Sequence, residues 1–427
     1  MRVRSRTPAR APRGLSRRPV CSYTLIRLPM EPQTMTIFDG RNHIAGAWQP
    51  AEDGRTFEQR NPACLAQVTG TYADSSADDA DRAVAAADAA FPAWRALSPQ
   101  ARKALLENAL GRIVARRDEI AEVITLENGK TLREARGEVD SAIKEMDYQI
   151  AEGLRICGQT VPVEVGGTLA YSTREPLGAV GIITPWNFPF NVPCRKCTPA
   201  LMAGNTVVFK PASLTPRVGL LYTQLLTDAD LPPGVINCIT GAGRTVGGAI
   251  VADPRIKAIS FTGSTPVGKA IQAQAAVNLT PTQLELGGKN PAIVLADADL
   301  DLAVEEIVKA GFACSGQWCT STSRVIVVEE VAAELTERLV AAVGAMTVGD
   351  GLADDSDMGP VCGATQKADI LSYIDQGRAE GARLLAGGEA LQDESRADGC
   401  YIAPTIFDRV DPGMTIAQEE IFGPVLV

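Results

Sequence analysis

Apolar and polar positions follow two patterns along the chain, and the change falls after residue 173. Before it, apolar residues recur at helical spacing over Ala77–Trp94, Ala101–Leu126 and Leu132–Gly153, which predicts three helices. After it, short apolar runs typical of buried strands alternate with helical segments. These runs are Val180–Ile183, Thr206–Phe209, Val235–Ile239, Ala258–Phe261, Ala292–Leu295 and Val325–Val328. The alternation predicts parallel sheets with crossover helices, the doubly wound α/β class.

Two shorter stretches have the alternating pattern of β-hairpins. Ile44–Trp48 predicts a small hairpin near the start of the fold. Cys157–Thr173 alternates around Gly166 and Gly167, which predicts an exposed hairpin protruding from the body. An exposed hairpin of this kind offers unpaired backbone groups, so we expect it to serve subunit pairing.

Both ends of the chain differ from its globular part. Residues 1–34 are rich in Arg, Pro and Ser, and the first thirty contain eight arginines and no acid. Such a leader could be a transit peptide, but it lacks a clear amphipathic helix, which favours a mistranslated or disordered leader. The other end, Glu419–Val427, stops within an apolar run, which predicts a C-terminally truncated sequence.

The composition excludes several classes of function. The net charge is −10 despite the basic leader, so neither nucleic acid nor an anionic membrane surface is an expected partner. The ten cysteines favour a reducing compartment and hence a cytoplasmic location. Unless the one histidine, His43, is the catalytic or ligating group, Ser-His-Asp and Cys-His hydrolases and zinc sites are excluded. Cys194 and Cys197 have redox spacing but no second pair, so packing is expected of them.

A glycine-rich loop follows one predicted strand and opens a helix. Gly263–Lys269 nearly matches the phosphate loop of nucleotide triphosphatases. Ala270 occupies the position whose hydroxyl would ligate magnesium, which disfavours that class. The helix N-terminus could still hold a pyrophosphate without metal. Gly241–Gly243 is a weaker signal for close approach of the backbone to a ligand.

Three polar residues suggest nucleophilic chemistry, and each has a structural alternative. Cys319 lies in a small-residue turn, where a thiol is reachable, although most cysteines are packing residues. Asn187 lies between Pro185 and Pro189; its amide could stabilise an oxyanion by roughly 3–4 kcal/mol, or could cap a turn. Glu285 lies between two leucines, where an apolar setting would raise its pKa for general-base work. Its alternative is a capping or ion-paired role.

Six motifs in register resemble the aldehyde dehydrogenase superfamily. They are Pro185–Pro189, Lys210–Ala212, Phe261–Ser264, Glu285–Gly288, Gly316–Cys319 and Glu419–Pro424, and their order and spacing match the family from about Met35 to Val427.

The resemblance implies a role for each matching residue. Cys319 would attack the aldehyde to give a thiohemiacetal and then a thioester, with the oxyanion held by the Asn187 amide and the Cys319 backbone N–H. Glu285 would activate the hydrolytic water, and no metal would be needed. The cofactor would be NADP or NAD, bound by Thr184, Pro185, Trp186, Lys210, Ser213, Gly243, Phe261, Gly263, Ser264, Gly268, Leu286, Glu420 and Phe422.

One of these positions bears on the choice of cofactor. NAD-preferring members of the family often carry Glu where this chain has Ser213. Loss of that carboxylate removes repulsion against a 2′-phosphate, so we expect NADP to be accepted.

The resemblance also implies a domain organisation. Residues 35–156 and 174–286 would form the cofactor-binding domain, 157–173 the oligomerisation hairpin, and 287–427 an α/β catalytic domain that is incomplete at its C-terminus. Complete members supply a further strand that pairs with a neighbour's hairpin. A homodimer or homotetramer is therefore expected if that strand is present.

Arg195 is the candidate for recognising the substrate. It aligns with an arginine that holds the distal carboxylate in succinate-semialdehyde dehydrogenases, although it could be a surface arginine. Those enzymes often carry a second arginine where this chain has Ala313. The segment Gly316–Val328 is more similar to 2-oxoglutarate-semialdehyde dehydrogenases, which favours that aldehyde over succinate semialdehyde. The alternatives are a catalytically silent truncated member and a CoA-acylating dehydrogenase, and Glu285 favours water over CoA.

Overall fold

The computed structural model describes residues 38–427, so the predicted leader 1–34 lies outside the described residues. The strands, in chain order, are β1 Phe38–Gly40, β2 Asn42–Ile44, β3 Ala47–Gln49, β4 Thr56–Asn61, β5 Cys64–Ala73, β6 Thr160–Val161, β7 Ala170–Tyr171, β8 Ala179–Ile183, β9 Thr206–Lys210, β10 Ile236–Cys238, β11 Ile256–Thr262, β12 Thr282–Glu285, β13 Asn290–Val294, β14 Thr322–Val327, β15 Arg383–Ala386, β16 Thr405–Asp408 and β17 Val425–Leu426. The helices are α1 Ala77–Ala96, α2 Pro99–Ala115, α3 Arg117–Asn128, α4 Leu132–Glu152, α5 Asn191–Met202, α6 Pro216–Thr227, α7 Gly248–Ala252, α8 Thr265–Ala275, α9 Leu300–Phe312, α10 Glu329–Gly344, α11 Ala364–Ala379 and α12 Thr415–Gln418.

The largest sheet has seven strands in the order β12-β11-β8-β9-β10-β2-β3. Its first five strands run parallel, and β2 and β3 continue it in antiparallel pairing. The hairpin predicted at Ile44–Trp48 is therefore confirmed, as an extension of the parallel sheet. The predicted α/β class with doubly wound parallel strands is also confirmed.

Helices cover both faces of this sheet, which explains the unbroken apolar runs of its central strands. Every residue of β8 and β9 is buried. Successive side chains of β9 enter different cores: Phe209 packs with Tyr222 of α6, while Val208 packs with Ala83 of α1 and Ile250 of α7. A strand covered on both faces has no polar side, so its sequence shows no alternation.

A second parallel arrangement follows the first in the chain. β13 pairs with β14, and β17 pairs with β16, which in turn pairs antiparallel with β15. Two hydrogen bonds join the pairs, from Val325 N–H to the Val427 carbonyl at 2.8 Å and from Val427 N–H to the Ser323 carbonyl at 3.3 Å. The two bonds thus hold β17, of a three-stranded sheet, beside β14, which begins just after Cys319.

The helix predicted over Ala101–Leu126 is wrong as a single element. The structure divides it into α2 and α3 at Arg116, whose φ of −109° and ψ of 21° leave the helical region. The Arg116 guanidinium pairs with Glu119 in the first turn of α3, and its N–H still bonds to the end of α2. The helical spacing of apolar residues continues across Arg116, so this spacing alone could not reveal the break between α2 and α3.

The hairpin predicted over Cys157–Thr173 is confirmed by the antiparallel pairing of β6 with β7. Its side chains at Val165, Leu169 and Tyr171 are exposed. Its use in subunit pairing stays a prediction, as do the domain boundaries. Within residues 38–427, no helix combines the length and apolar character that a membrane span requires.

Candidate active site

A cavity of about 1260 Å³ opens where the parallel strands of the large sheet end. Asn187 follows β8, Ser264 follows β11, and Glu285 is the last residue of β12; all three line this cavity together with Cys319. The carboxyl edge of a parallel sheet is the usual place for ligands in doubly wound folds. The three predicted catalytic residues, far apart in the chain, thus share one cavity.

Cys319 lies in the turn between α9 and β14. Cys314, Ser315 and Gly316 have φ of 52°, 57° and 68°, a run of left-handed residues that reverses the chain after α9. A Cβ on Gly316 would lie 2.1 Å from the Gly423 carbonyl oxygen, so only glycine allows this approach. The turn leaves the Cys319 side chain exposed, as expected of a nucleophile.

Four groups act on the protonation of the Cys319 thiol. Partial burial raises its pKa above the usual range, and the nearby Glu420 carboxylate raises it further. The backbone N–H groups of Cys319 and Thr320 and the Arg195 guanidinium oppose this rise. These donors favour negative charge at the sulfur, although burial and Glu420 outweigh them.

Asn187 is buried beside the cysteine turn. Its side-chain Nδ2 donates to the Gln317 carbonyl at 3.0 Å, which uses one of its two N–H bonds. The rings of Phe188 and Trp318 lie 5.3 Å apart, centroid to centroid, and add a second contact between the same two loops. The asparagine therefore has one N–H left to donate and is held against the loop that carries Cys319.

Glu285 does not lie in the apolar surroundings that its position between two leucines had predicted. The side chain is exposed, and Leu284 and Leu286 do not enclose it, so the prediction of an apolar setting is wrong. On a strand, alternate side chains point to opposite faces. Glu285 instead shares its face with Gln283, whose Nε2 donates to Glu285 Oε1 at 2.6 Å.

Sequence reasoning missed the lysine behind this pair. Lys196 Nζ donates to Gln283 Oε1 at 2.7 Å and to Ser260 Oγ at 2.8 Å. Burial lowers the pKa of Lys196 to about 8. A prediction of β12 would have placed Gln283 beside Glu285, but its four residues include one large apolar side chain and give little strand signal.

Arg195 lines the cavity with an exposed side chain. Its guanidinium forms two bonds with Glu145, from Nε at 2.8 Å and from Nη2 at 2.5 Å. Arg195 thus lies at the cavity with two of its nitrogens already paired, and its role in substrate binding stays a prediction. The third nitrogen, Nη1, makes no hydrogen bond with Glu145.

The residues predicted to bind cofactor fall into two groups. Those that line the cavity are Pro185, Trp186, Gly263, Ser264, Leu286, Glu420 and Phe422. The Trp186 and Phe422 rings meet edge to face at 5.4 Å. Those that do not line it are Thr184, Lys210, Ser213, Gly243, Phe261 and Gly268.

Several members of the second group have structural contacts. Phe261 is a core residue of β11. A Cβ on Gly268 would lie 2.5 Å from the Leu286 side chain, so this glycine lets α8 pack closely on the strand before the cavity. Ser213 Oγ donates to the Gly241 carbonyl at 2.9 Å, and Gly243 begins a short helical turn.

Several polar groups in or near the cavity lack hydrogen-bond partners among the described residues. They include Glu420 Oε1, which belongs to a predicted cofactor residue, and Lys289 Nζ, for which no role was predicted. Burial raises the pKa of Glu420, and the Gly288 backbone N–H and the Lys289 charge oppose this rise. Burial lowers the pKa of Lys289 to about 8, and the Glu420 charge opposes this fall. Buried donors and acceptors that have no partner in the protein are available to bond to a ligand.

Other candidates from the sequence lie elsewhere. His43 is buried in β2, where Nδ1 lies 3.2 Å from the Ile236 carbonyl, and it does not line the cavity. Cys194 and Cys197 are fully buried in the core, which confirms the packing interpretation. Within the part of the chain that the structure describes, no group of His, Cys, Asp and Glu could hold a metal ion.

Comparison with curated proteins finds close relatives over most of the chain. It is 43% identical to an alpha-ketoglutaric semialdehyde dehydrogenase of Bacillus subtilis, over 90% of this chain and 79% of that protein. It is 40% identical to an alpha-ketoglutarate semialdehyde dehydrogenase of Haloferax volcanii, over 90% of this chain and 80% of that protein.

Solved structures show the same fold. An NADP-dependent enzyme of E. coli superposes with a TM-score of 0.88 at 36% identity, covering 91% of this chain and 80% of the other. An NAD-dependent aldehyde dehydrogenase of Sinorhizobium meliloti gives 0.89 at 37% identity, covering 93% and 78%. The model of the aldehyde dehydrogenase family matches residues 48–427. The cavity, with its cysteine, asparagine and glutamate, is consistent with these matches. The chain therefore belongs to the aldehyde dehydrogenase family.

Proposed function

We propose that this chain oxidises a short carboxylated semialdehyde to the acid, with 2-oxoglutarate semialdehyde favoured over succinate semialdehyde and with NADP or NAD as the oxidant. The observation that carries the proposal is the single cavity lined by Cys319, Asn187 and Glu285. The names of the relatives from Bacillus subtilis and Haloferax volcanii support the choice of aldehyde.

The first half of the reaction uses Cys319 and Asn187. The thiolate attacks the aldehyde carbon, a C–S bond forms, and the carbonyl electron pair moves onto oxygen. The free N–H of the Asn187 amide and the Cys319 backbone N–H are the donors available for that oxyanion. Donors already in place cost little reorganisation as charge develops.

A bound nicotinamide would supply the oxidant by taking up the aldehyde hydrogen with its electron pair, and the acyl group would remain on Cys319 as a thioester. Glu285 then takes a proton from water as the water oxygen bonds to the acyl carbon. The C–S bond breaks, the thiolate returns, and the acid leaves. Glu285 can perform this step because it lines the same cavity as Cys319 and is open to solvent.

The residues of this chain fit a dinucleotide. Lys210 Nζ is buried and donates to one acceptor, the Pro211 carbonyl at 2.9 Å, so two of its three N–H bonds are available to phosphate or ribose oxygens. Ser264 is the N-cap of α8, but its hydroxyl makes no capping bond and is free for a pyrophosphate. The unpartnered Glu420 Oε1 can accept from a ribose hydroxyl.

The preference between the two cofactors depends on Ser213. Its hydroxyl is turned to the Gly241 carbonyl and brings no negative charge to the loop after Lys210. A 2′-phosphate would therefore meet no carboxylate at this position, which supports acceptance of NADP.

Arg195 is the proposed substrate residue. A distal carboxylate can bind Nη1, or replace Glu145 and take both nitrogens of the fork. The proposal includes a cytoplasmic enzyme that assembles as a homodimer or homotetramer through its exposed hairpin.

The test is reduced-nicotinamide formation by the purified 427-residue chain. The substrates are 2-oxoglutarate semialdehyde, succinate semialdehyde and a neutral aldehyde, each with NAD and with NADP. We expect the highest kcat/KM with 2-oxoglutarate semialdehyde and no turnover by the Cys319→Ala control. Full selectivity for carboxylated aldehydes in an Arg195→Ala variant would remove Arg195 from the proposal. Silence from the folded wild-type chain would favour the catalytically silent alternative.

A further inference from the structure

A fully buried ion pair lies directly behind the Asn187 loop. Lys130, in the connection between α3 and α4, donates from Nζ to Glu138 Oε2 at 2.7 Å, and both side chains are completely shielded from solvent. Burying two charges costs desolvation that their attraction need not repay, so such a pair is weak support for fold stability. Its remaining contacts indicate another role.

Both partners direct those contacts to the segment that carries Asn187. Lys130 Nζ donates to the Asn187 carbonyl at 2.7 Å and lies 4.0 Å from the centroid of the Phe188 ring. Glu138 Oε1 accepts from the backbone N–H groups of Phe190 at 2.8 Å and Asn191 at 3.1 Å. Lys130 thus holds the loop at Asn187, and Glu138 holds it where α5 begins.

A second carboxylate of α4 holds the other catalytic loop. Glu134 lies one turn before Glu138 on the same face of the helix. Its Oε1 accepts from the Cys314 backbone N–H at 2.7 Å, while its Oε2 accepts from Thr131 at the helix N-terminus. Cys314 and Ser315 have positive φ, a conformation that non-glycine residues keep only with support from neighbours.

We propose that Lys130, just before α4, and Glu134 and Glu138, on the first two turns of that helix, form a clamp that sets the position of the Asn187 amide relative to the Cys319 sulfur. They are positioning residues: they touch the backbone of both loops and act through Asn187 and Cys319. The clamp deepens the proposed function, on which it rests. Because misplacing reacting groups by an ångström can cost about 100-fold in rate, the clamp should affect kcat far more than substrate binding.

Glu134 offers the sharpest test because a conservative variant exists. Glu134→Gln keeps an oxygen for the Cys314 N–H, whereas Glu134→Ala removes it. Since Glu134 also caps α4, the matched control is Ser98→Ala, which removes the side-chain cap of α2 and contacts neither loop.

We expect Glu134→Ala to lower kcat for the aldehyde by about 10- to 100-fold, with KM for the aldehyde and the cofactor within threefold. Glu134→Gln should restore kcat to within fivefold of wild type. Ser98→Ala should lower Tm to a similar extent as Glu134→Ala and leave kcat unchanged. If Glu134→Ala lowers Tm but keeps kcat within threefold, the capping role suffices and the proposal is overturned.

The ion pair gives a second measurement. The double variant Lys130→Met with Glu138→Gln avoids leaving one buried charge alone and removes the bond to the Asn187 carbonyl. The expected loss of kcat is again about 10-fold or more, with KM unchanged. If the double variant folds and keeps wild-type kcat, the pair has no positioning role; if it does not fold, the two Glu134 variants decide.

Acylation by p-nitrophenyl acetate separates this proposal from the proposed function. Release of nitrophenolate uses the Cys319 nucleophile and the oxyanion donors but neither cofactor nor aldehyde. We expect this rate to fall in parallel with kcat in Glu134→Ala. Should the wild-type chain acylate yet oxidise no aldehyde, the proposed function fails, and the same variants still test the clamp through nitrophenolate release.

Discussion

At the scale of single residues, the Cys319 sulfur is influenced by opposing charges. Burial and the Glu420 carboxylate raise its pKa, while two backbone N–H groups and Arg195 lower it. Since the thiolate is the reactive form, the pH at which the enzyme becomes active depends on this balance.

Glu420→Gln should lower the pKa of Cys319, because it removes a negative charge that disfavours the thiolate. The rate of iodoacetamide alkylation rises as a thiol ionises, so its midpoint should move to lower pH in the variant. Mass spectrometry of the Cys319 peptide distinguishes this thiol from the others. Glu419→Gln is the neighbouring control, since Glu419 bonds to Tyr373. An unchanged or higher midpoint in Glu420→Gln would contradict the assignment.

The residues that sequence reasoning found and missed differ in a physical way. Cys319, Asn187 and Glu285 are found because each belongs to a motif with its own backbone requirements. Lys130, Glu138 and Lys196 were missed, because a charged residue outside a motif is normally predicted to be solvated. Their burial depends on which elements pack over them, and that information is not local in the chain.

At the scale of elements, strand β12 connects Glu285, the proposed general base, to the body of the protein. Gln283 and Glu285 lie on one face, and the Gln283 amide is oriented by Lys196 on one side and by Glu285 on the other. The glutamine therefore limits where the carboxylate can point.

Gln283→Leu should impair hydrolysis of the thioester more than its formation, because it frees Glu285 without changing Cys319 or Asn187. We expect kcat to fall about tenfold, with a pre-steady-state burst of reduced nicotinamide that becomes larger relative to the steady rate. Asn278→Ala, in the exposed turn that follows α8, is a control, because Asn278 bonds to the Ala252 carbonyl and contacts neither group. A variant with lower burst rate and no change in the later phase would contradict this role.

The ease of predicting an element depended on how its sequence is buried. β8 and β9 were predicted because every residue is buried and the run is continuously apolar. β12 was not, since its burial alternates at the sheet edge. The break at Arg116 was missed because the two helices keep one apolar face, and the change of φ and ψ occurs at a charged residue that is common inside helices.

At the scale of the whole molecule, a buried carboxyl contributes to the pH dependence of stability. Glu127 is fully buried and accepts from the N–H groups of Arg217 and Val218 at the start of α6 and from Tyr72 Oη. Burial raises its pKa to about 7, and these hydrogen bonds oppose the rise. The folded chain therefore binds a proton that the unfolded chain releases at lower pH.

The raised pKa of Glu127 determines whether the free energy of unfolding rises or falls with pH. Below the unfolded pKa of about 4.5 the carboxyl is protonated in both states, so it makes no pH-dependent contribution. Between that value and about 7 it ionises first in the unfolded chain, so stability falls as pH rises, and above about 7 the loss is constant. Relative to Glu127→Gln, wild-type Tm should therefore decrease from pH 5 to pH 8. A constant difference in Tm would show that Glu127 does not titrate in this range.

Two of the four tryptophans of the chain, Trp186 and Trp318, border the cavity, whereas Trp48 lies in β3 and Trp94 is buried in α1. The protein thus carries a fluorescent reporter in the same cavity as Cys319. Indole emission responds to a ring or a charge that arrives nearby, and reduced nicotinamide absorbs in the same spectral range. Occupancy of the cavity can therefore be followed by quenching and energy transfer in the unlabelled protein, without turnover and even in a Cys319→Ala variant.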